Sequence, residues 1–379
     1  MWDTGEPDQP ITRLVEILVQ KYHPDARLYL SGSPYVRLPD HVREAVAASV
    51  SRQGYAPSRG EPGLREAIAV GLADRGVRAA PEQVLVTDGA MHALDLVFRS
   101  ILEPGDEVLM PAPGFFIQGL VRRAGGRLVR FPSPAGDQFR PSWEAAQTFL
   151  TKRTKILYVN TPVNPTGYVY DEADIAAAVE LADRAGLILL SDESLAHFVY
   201  GGHPHLSPAG AASGWPSSVL VGSFSKDYAM PGLRIGYAVM PAHLLSRVSA
   251  LLEWSVLAVS RPAQAAALAA LTGPREWVER MVADAAARGP ALAAELAAIP
   301  GLSCLPPRGG LNLFPGFAGD AERLTHDLVV QFGVPVCPGS AFGGTGHFRL
   351  QFGGAEHDLR RAVRHIRDAV ASTAAGEET

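Results

Sequence analysis

Cysteines, net charge and long apolar runs are all scarce in this chain of 379 residues. Its two cysteines, Cys304 and Cys337, form neither a metal-binding spacing nor a disulfide framework, so we expect no metal site and a reducing, cytoplasmic environment. The formal net charge is −5 and the arginines are scattered along the chain, which argues against a nucleic-acid partner. Without an apolar run of membrane-spanning length, we also expect no membrane partner.

What the chain does have is the composition of an ordinary globular protein, with 47% hydrophobic and 19% charged residues. In its first two thirds, short β-branched runs alternate with segments of helical periodicity. The predicted strands cover residues 84–87, 107–110, 127–130, 156–160, 187–191 and 219–222. Because these runs are apolar throughout, we expect helices on both faces of the sheet, including 91–101, 116–124 and 172–185. The pattern predicts a three-layer α/β/α domain with a mostly parallel sheet.

The pattern changes after Gly273. It predicts a long helix over residues 275–299, short strands within 302–305, 311–314, 334–337 and 348–352, and a last helix over 357–372. This succession is typical of a smaller α+β domain. We therefore divide the chain into an N-terminal arm with part of the small domain (1–45), a large domain (46–273) and a small C-terminal domain (274–379).

Lys226 stands in a stretch of small and hydroxyl-bearing residues, with Ser223 and Ser225 before it and Arg234 after it. A single lysine in such surroundings suits an amine that forms a Schiff base with a phosphorylated cofactor. The guanidinium fork of Arg234 and the two hydroxyls suit the phosphate of that cofactor. The alternative is a solvated surface loop with an ordinary lysine.

Two polar residues follow buried strands. Asp192 comes directly after the run 187–191, and the carboxyl ends of such strands face the ligand crevice. Its carboxylate can pair with a protonated ring nitrogen, although a helix or turn cap is the alternative. Asn164 lies in a turn held by Pro162 and Pro165, which can place its amide against an oxygen on a ring. The alternative for Asn164 is a purely structural turn.

Three further segments carry candidate binding residues. Gly89, Ala90 and Met91 open the helix after the first predicted strand, where free backbone N–H groups favour a phosphate. Phe115 can stack on an aromatic cofactor, although a phenylalanine is more often part of a core. Arg349, flanked by apolar residues in a predicted strand, needs an anionic partner. That partner is either a substrate carboxylate or an internal Asp or Glu.

Taken together, these residues resemble, in order and spacing, the class I/II aminotransferases, a family of fold-type I pyridoxal-phosphate enzymes. The resemblance runs from about residue 32 to about residue 369. It implies an aspartate-aminotransferase-like fold, pyridoxal 5′-phosphate as the cofactor, and a large domain that binds it. The implied reaction is transamination of an amino acid, with a 2-oxo acid product.

The resemblance also implies roles for individual residues. Lys226 matches the lysine that forms the Schiff base and then moves the α-proton. Asp192 matches the carboxylate on the pyridine nitrogen, and Asn164 matches the donor to the cofactor's 3′ oxygen. The residues expected around the phosphate are Arg234, Ser223, Ser225, Gly89 and Ala90, with Met91 beside them.

Further matches concern the substrate and the assembly. Phe115 matches the stacking aromatic residue, although one residue is missing here relative to the usual pattern. Arg349 matches the arginine that holds the substrate α-carboxylate and Gly32 a glycine of the substrate site, and we expect Asn164 and Tyr35 beside them. Tyr55 matches a tyrosine that reaches the phosphate of the neighbouring subunit, which implies a homodimer with shared active sites.

Position 195 departs from the family. The family usually has a tyrosine three residues after the aspartate, and its hydroxyl helps to hold the cofactor's phenolate oxygen. This chain has Leu195, which cannot donate a hydrogen bond. Ser194, His197 or a water can substitute for the missing hydroxyl.

The departure at Leu195 keeps two other interpretations open. One is a non-transaminating enzyme of the same fold, such as an elimination lyase, a cyclase or an oxidase acting on an amino acid. The other is a non-catalytic ligand-binding domain, against which the intact set of site residues argues. The nearby His203 and His205 belong either to the substrate region or to an ordinary surface loop.

Overall fold

The computed structural model describes residues 10–24, 30, 32–34, 36–52, 54–211 and 217–377, with side chains through residue 373. Its centre is a seven-stranded sheet. The strands are, in chain order, β1 (Val84–Thr87), β2 (Glu107–Ala112), β3 (Arg127–Pro132), β4 (Thr154–Asn160), β5 (Ile188–Asp192), β6 (Ser218–Ser223) and β7 (Gly236–Val239). Side by side, their order is β1-β7-β6-β5-β4-β2-β3.

The sheet is mostly parallel, as predicted. Neighbouring strands from β6 across to β3 are parallel, whereas β7 runs antiparallel to both β1 and β6. The sequence pattern predicts six of these strands and misses β7. The reason is that β7 has only four residues and follows Lys226 so closely that its apolar run merges with the glycine-containing stretch.

The helices are α1 (Ile11–Tyr22), α2 (Asp40–Ser49), α3 (Pro62–Ala73), α4 (Ala90–Ile101), α5 (Gln118–Arg123), α6 (Trp143–Ala146), α7 (Glu172–Ala185), α8 (Pro208–Ala211), α9 (Phe224–Asp227), α10 (Ala242–Val256), α11 (Arg261–Thr272), α12 (Glu276–Ala297), α13 (Ala321–Val330) and α14 (Glu356–Glu377). Some of them cover the two faces of the large sheet. Leu190 of β5 packs with the layer of α4 and α10, whereas the preceding Leu189 packs with α7 on the other face. Successive strand residues are therefore buried on opposite faces, which is why the strands are apolar throughout.

Helix α7 shows how local sequence sets the bounds of an element. The side chain of Asp171 accepts a hydrogen bond from the backbone N–H of Asp174 and so caps the first turn. Gly186 adopts a left-handed conformation with φ 63° and ends the last turn. Both signals are local, and the predicted helix 172–185 coincides with the observed one.

The C-terminal third contributes five short strands: β8 (Leu302–Ser303), β9 (Asn312–Leu313), β10 (Gly316–Phe317), β11 (Cys337–Pro338) and β12 (Phe348–Gln351). Strand β12 lies between β11 and β9 and is antiparallel to both. Val15 and Val19 of α1 belong to the same apolar core as the buried faces of α13 and α14. The division at residues 45 and 273 stays a prediction. Among the described helices, none is both long and apolar enough to cross a membrane.

Candidate active site

The carboxyl ends of three neighbouring strands bring polar side chains to one edge of the large sheet. Asn160 ends β4, Asp192 ends β5 and Ser223 ends β6. Asn160 and Asp192 are direct partners in the parallel register. Open α/β sheets bind ligands outside the carboxyl ends of their strands, so this edge is where a site is expected.

A cavity of about 480 Å³ opens at this edge. The predicted site residues that line it are Lys226, Asp192, Asn164, Arg234, Ser223, Ser225, Ala90, Met91, Phe115, Arg349 and Gly32. Gly89 and Tyr55 do not line the cavity, although Gly89 adjoins the Arg234 guanidinium and Tyr55 is exposed. Tyr35 lies outside the described residues. Residues that are far apart in the chain thus meet in one cavity, including those from β12.

Asp192 is buried and holds three hydrogen bonds. The Tyr158 hydroxyl donates to Oδ2 at 2.9 Å, while the hydroxyl and the backbone N–H of Ser194 donate to Oδ1 at 2.6 Å and 3.1 Å. Burial raises the pKa of Asp192, and these donors act in the opposite direction. A buried carboxylate of this kind stays charged best beside a cation, which a protonated ring nitrogen supplies.

Lys226 is half-buried and lies in the short helix α9, whose first turn the Ser223 hydroxyl caps by accepting from the backbone N–H of Ser225. Burial lowers the pKa of Lys226, and the positive charges of Arg234 and Arg349 lower it further. A lysine with a lowered pKa is a better nucleophile and base near neutral pH because more of it is uncharged.

Arg234 and the start of α4 form a cradle for an anion. The Arg234 guanidinium donates to Pro231 O at 2.9 Å and to Ser225 Oγ at 3.4 Å. Gly89, with φ +84°, precedes α4, and a Cβ atom there would collide with the Arg234 guanidinium. Among the described residues, Arg234 has no ion pair with an Asp or Glu, whereas Arg75, Arg140 and Arg261 each have one. Free N–H groups, hydroxyls and an unpaired arginine together fit a phosphate.

Arg349 is only 3% exposed and has no carboxylate partner within 4.0 Å in the part of the chain that the structure describes. One guanidinium nitrogen donates to Asn164 Oδ1 at 3.3 Å and another to Cys337 Sγ at 3.5 Å, while Nε has no partner. The guanidinium also lies 4.7 Å from the centre of the Phe342 ring. A buried cation without an internal acid needs an external anion, which a substrate carboxylate provides.

The turn that carries Asn164 is fixed from both sides. Asn160 Oδ1 accepts from the backbone N–H of Asn164 at 2.8 Å, and Asn160 Nδ2 donates to Asp192 O at 3.0 Å. Gly167, with φ +72°, closes the turn, and a Cβ atom there would press on Pro307. Since Arg349 occupies the Asn164 oxygen, the Asn164 amide N–H group is left to face a ligand.

The aromatic candidates differ in position. Phe115 lines the cavity and packs against Phe116, with 4.5 Å between ring centres. Phe116 lines the cavity as well, and its ring centre lies 5.7 Å from the Arg349 guanidinium. Tyr55 is 83% exposed, so its predicted contact needs a second chain.

Neither side chain proposed as a substitute at position 195 is available. Leu195 is buried and lines the cavity, the Ser194 hydroxyl is committed to Asp192, and His197 does not line the cavity. His205 is not part of an ordinary surface loop, because its side chain is only 8% exposed and its Nε2 donates to Thr161 O at 3.2 Å. Burial and Arg75 lower the pKa of His205 to about 3. His203 is exposed.

The cavity and supporting residues that sequence patterns do not single out include Tyr158, Asn312 and Gln351. Asn312 and Gln351 line the cavity from β9 and β12, and Tyr158 binds Asp192 from behind. A hydroxyl or amide inside an otherwise apolar strand is the available signal, because such a group needs a partner when it is buried.

Comparison with known proteins agrees with this geometry. The family model for aminotransferase class I and II matches residues 28–366. The chain is 36% identical to a probable aspartate/prephenate aminotransferase of Aquifex aeolicus, over 90% of each chain. It is 33% identical to an aspartate aminotransferase of Geobacillus stearothermophilus, over 89% of each chain.

Solved structures give the same result. A Thermus thermophilus aspartate aminotransferase with maleate superimposes with a TM-score of 0.87 and 32% identity, covering 96% of this chain and 97% of that one. A Pyrococcus protein described as A1 superimposes with a TM-score of 0.91 and 28% identity, covering 97% of each. The chain therefore belongs to the family of class I and II aminotransferases.

Membership in this family establishes the chemistry in outline. The protein is a pyridoxal-phosphate-dependent aminotransferase that acts on an amino acid, as the family and the names of its relatives show. The residues present fit the cofactor, since the cradle at Arg234 suits its phosphate and the buried Asp192 suits its ring nitrogen. Bound pyridoxal phosphate supplies the electron sink for the bond that breaks at the substrate α-carbon. Nothing in these comparisons favours a lyase, cyclase or oxidase.

Proposed function

We propose that this cavity is the transamination site. Lys226 holds the cofactor and moves the α-proton, Asp192 keeps the ring nitrogen protonated, and Asn164 donates to the ring oxygen. Ser223, Ser225, Arg234 and the start of α4 from Gly89 to Met91 hold the phosphate, and Phe115 stacks on the ring. Arg349 holds the substrate α-carboxylate beside Gly32. The observation that best supports this proposal is the buried Arg349 side chain. It lines the same cavity as Lys226 and has no Asp or Glu partner among the described residues.

The chain's own residues then divide the work of the reaction. Arg349 and Asn164, joined by their hydrogen bond, orient the substrate so that its α-carbon faces Lys226. The lowered pKa of the Lys226 amine favours its action as a general base. The apolar side chains of Phe116 and Leu195 exclude water from this end of the cavity.

We propose further that the enzyme is a homodimer of the cytoplasm. Tyr55 is 83% exposed, which leaves its side chain available to a second chain, as its proposed role requires. The two cysteines are both free, which supports a reducing compartment. Sedimentation of the holoenzyme is expected to give a dimer, and an active monomer would contradict the role of Tyr55.

The amino donor is an α-amino acid and the product a 2-oxo acid. The relatives are named for aspartate, or for aspartate and prephenate, which supports an α-amino acid held by its carboxylate. Mixing the holoenzyme with an amino donor is expected to convert the bound cofactor to its pyridoxamine form. Ammonia release or oxygen uptake without that conversion would instead indicate a lyase or an oxidase.

Borohydride reduction of the holoenzyme followed by peptide mapping tests the centre of the proposal. The cofactor is expected on the peptide that contains Lys226. Lys152 and Lys155 are exposed and serve as internal controls for non-specific labelling. A label on either of them alone, or no label, would overturn the assignment of Lys226.

A further inference from the structure

Two buried acids directly follow the two residues that are proposed to act on the cofactor. Glu193 follows Asp192 in the chain, and Asp227 follows Lys226. Glu193 is 1% exposed and Asp227 is 5% exposed, and neither lines the active-site cavity. A carboxylate is costly to bury unless a cation or hydrogen-bond donors compensate it, so each acid needs partners behind the cavity wall.

Glu193 has partners for both of its oxygens. Arg75, just beyond α3, donates to Oε2 at 2.7 Å, and the hydroxyls of Ser191 and Ser207 donate to Oε1 at 2.9 Å and 2.5 Å. Burial raises the pKa of Glu193, and Arg75 has the largest effect in the opposite direction. Arg75 therefore supplies the charge that compensates this buried acid.

Asp227 is influenced by the same arginine. The backbone N–H of His197 donates to its Oδ1 atom at 3.3 Å. Burial raises the pKa of Asp227, while His197, Arg75 and Lys226 act in the opposite direction. Arg75 therefore acts electrostatically on both buried acids, and it thereby connects the surroundings of Lys226 with those of Glu193.

The other titratable groups that face Arg75 include three that are uncharged near pH 7. His205 Nδ1 lies 3.3 Å from an Arg75 nitrogen, and burial and Arg75 lower the pKa of His205 to about 3. Burial raises the pKa of Tyr228 and raises that of Tyr237 to about 12. Because these neighbours are neutral, the charge of Arg75 is balanced by the buried acids.

Arg75 acts from outside the active site. Its side chain lines a separate cavity of about 600 Å³, together with His205 and Ser207, and does not line the cavity that contains Lys226. A charge in a low-dielectric interior influences groups beyond its own hydrogen-bonded partners. A change in the net charge of Arg75 and Glu193 therefore reaches Lys226 without any change in the residues around its cavity.

We propose that Arg75 is a positioning residue, whose ion pair with Glu193 balances the electrostatic potential behind Asp192 and Lys226. An unpaired Arg75 makes that potential more positive, which disfavours a proton on the Lys226 nitrogen, whereas an unpaired Glu193 has the opposite effect. Neutral side chains at both positions leave the potential near that of the wild type. This inference rests on the proposed function in taking Lys226 as the amine that carries the cofactor.

A pH titration of the holoenzyme tests the proposal, because the absorbance of bound pyridoxal phosphate reports the proton on the nitrogen that joins it to Lys226. In Glu193→Gln we expect the pKa of this nitrogen to fall by roughly one pH unit, the effect of a unit charge within about 10 Å in a protein interior. In Arg75→Gln we expect the pKa to rise, since Glu193 keeps its two hydroxyl donors and stays charged. The double variant is expected to titrate like the wild type.

The sign of the two shifts distinguishes a charge effect from a merely structural one. The other charged groups around Lys226 are the same in every variant, namely Arg234, Asp192, Arg349 and Asp227. Loosened packing would admit water and relieve the burial that lowers the pKa of Lys226, so it would move that pKa upward in both single variants. Shifts of opposite sign are expected from charge alone.

A second readout does not use the cofactor. In the apoenzyme, an amine-directed reagent labels Lys226 at a rate whose pH dependence, resolved by peptide mapping, gives the pKa of the free amine. The same order of pKa values is expected among the variants. Lys152 and Lys155 are exposed and serve as internal references that do not shift.

Asp174→Asn is the matched control variant. It also removes a buried acid from its arginine, since Arg140 Nε lies 3.0 Å from Asp174 Oδ1, but neither residue lines the active-site cavity. We expect it to leave the pKa of Lys226 unchanged. Thermal unfolding checks that each variant is folded.

The outcomes separate the two proposals. Shifts of the same sign in Glu193→Gln and Arg75→Gln, or no shift in either, overturn the role of Arg75 while the proposed function stands. If Glu193→Gln does not fold, Arg75→Gln is compared with the double variant, and equal pKa values overturn the role. If the cofactor is attached to a lysine other than Lys226, the proposed function fails, and the titration of Lys226 in the apoenzyme decides the role of Arg75 by itself.

Discussion

The two walls of the active-site cavity treat their polar groups differently. On the wall formed by the large sheet, Asp192 receives three hydrogen bonds and the Ser223 hydroxyl caps α9. On the wall formed by β9 and β12, Arg349 Nε and Asn312 Oδ1 are buried without partners. An unpartnered buried group is costly, and Arg349, whose side chain lines the cavity, can be completed there by a ligand. The comparison indicates that the large-sheet wall holds the cofactor, which remains bound through turnover. The wall formed by β9 and β12 contacts the substrate, which binds and leaves in each cycle.

The largest loss of activity is expected from removing the charge of Asp192 on the large-sheet wall of the cavity. Asp192→Asn keeps the shape but leaves a protonated ring nitrogen without its buried counter-ion, and breaking such a pair costs about 3–5 kcal/mol. We expect kcat to fall by roughly 10²–10⁴-fold, measured with saturating cofactor and substrate. Asp171→Asn, at the cap of α7, is a charge-matched control away from the cavity. Equal losses in both variants would contradict the assigned role.

Removing the charge of Arg349 tests the role of the opposite wall, formed by β9 and β12, in substrate binding. Arg349→Gln deletes the contact to the substrate carboxylate, and the loss of a charged hydrogen bond of about 1.5–3 kcal/mol corresponds to a KM that is roughly 10–100-fold higher. Cofactor affinity is expected to fall much less than substrate affinity, because Arg349 contacts the proposed cofactor-binding residues only through Asn164.

Arg288→Gln is the matched control for Arg349. Arg288 donates to Phe352 O and Gly354 O just beyond β12 but does not line the cavity. We expect its KM to stay near the wild-type value. A loss of cofactor affinity as large as the loss of substrate affinity in Arg349→Gln would show that the two walls do not divide their functions as proposed.

The Tyr158 hydroxyl, which donates to Asp192, offers a milder test of the large-sheet wall, where the polar groups have hydrogen-bond partners. Tyr158→Phe removes one of the three donors to Asp192, and a hydrogen bond to a charged group contributes about 1.5–3 kcal/mol, so kcat is expected to fall at least about tenfold. Tyr170→Phe is the control, because the Tyr170 hydroxyl is buried without a partner and its removal leaves nothing unpaired. A loss of activity in Tyr170→Phe equal to that in Tyr158→Phe would rule out a specific effect through Asp192.

The smallest expected effect is on the free energy of unfolding and comes from His205, near the large-sheet wall. Since burial and Arg75 lower the pKa of His205 to about 3 from the ordinary 6.5, the unfolded chain takes up a proton before the folded one as the pH falls. The free energy of unfolding therefore decreases below pH 6.5, by about 2 kcal/mol between pH 7 and pH 5 from this group alone. His205→Gln, which retains an N–H donor for Thr161, is expected to remove that part of the decrease in denaturant titrations. His203→Gln, at an exposed position, is expected to leave it in place.

Local sequence determined most of the elements and the centre of the site. The apolar run at residues 84–87 coincides with β1, and the cap signals of α7 lie within or beside the helix. Lys226, Asp192 and Asn164 could be singled out because each belongs to a short segment whose chemistry is visible in neighbouring residues. Their place at strand ends follows from the same segments, since a parallel sheet brings those ends to one edge.

Only the tertiary structure decided which of these polar groups have partners. The bond from Tyr158 to Asp192 spans 34 residues, and the bond from Arg349 to Asn164 spans 185. Whether Arg349 meets an internal acid, and whether Asn312 keeps its amide unpaired, depends on what several distant segments place around each atom. Periodicity and local motifs report the neighbours along the chain, whereas hydrogen bonding and burial are set by neighbours in space.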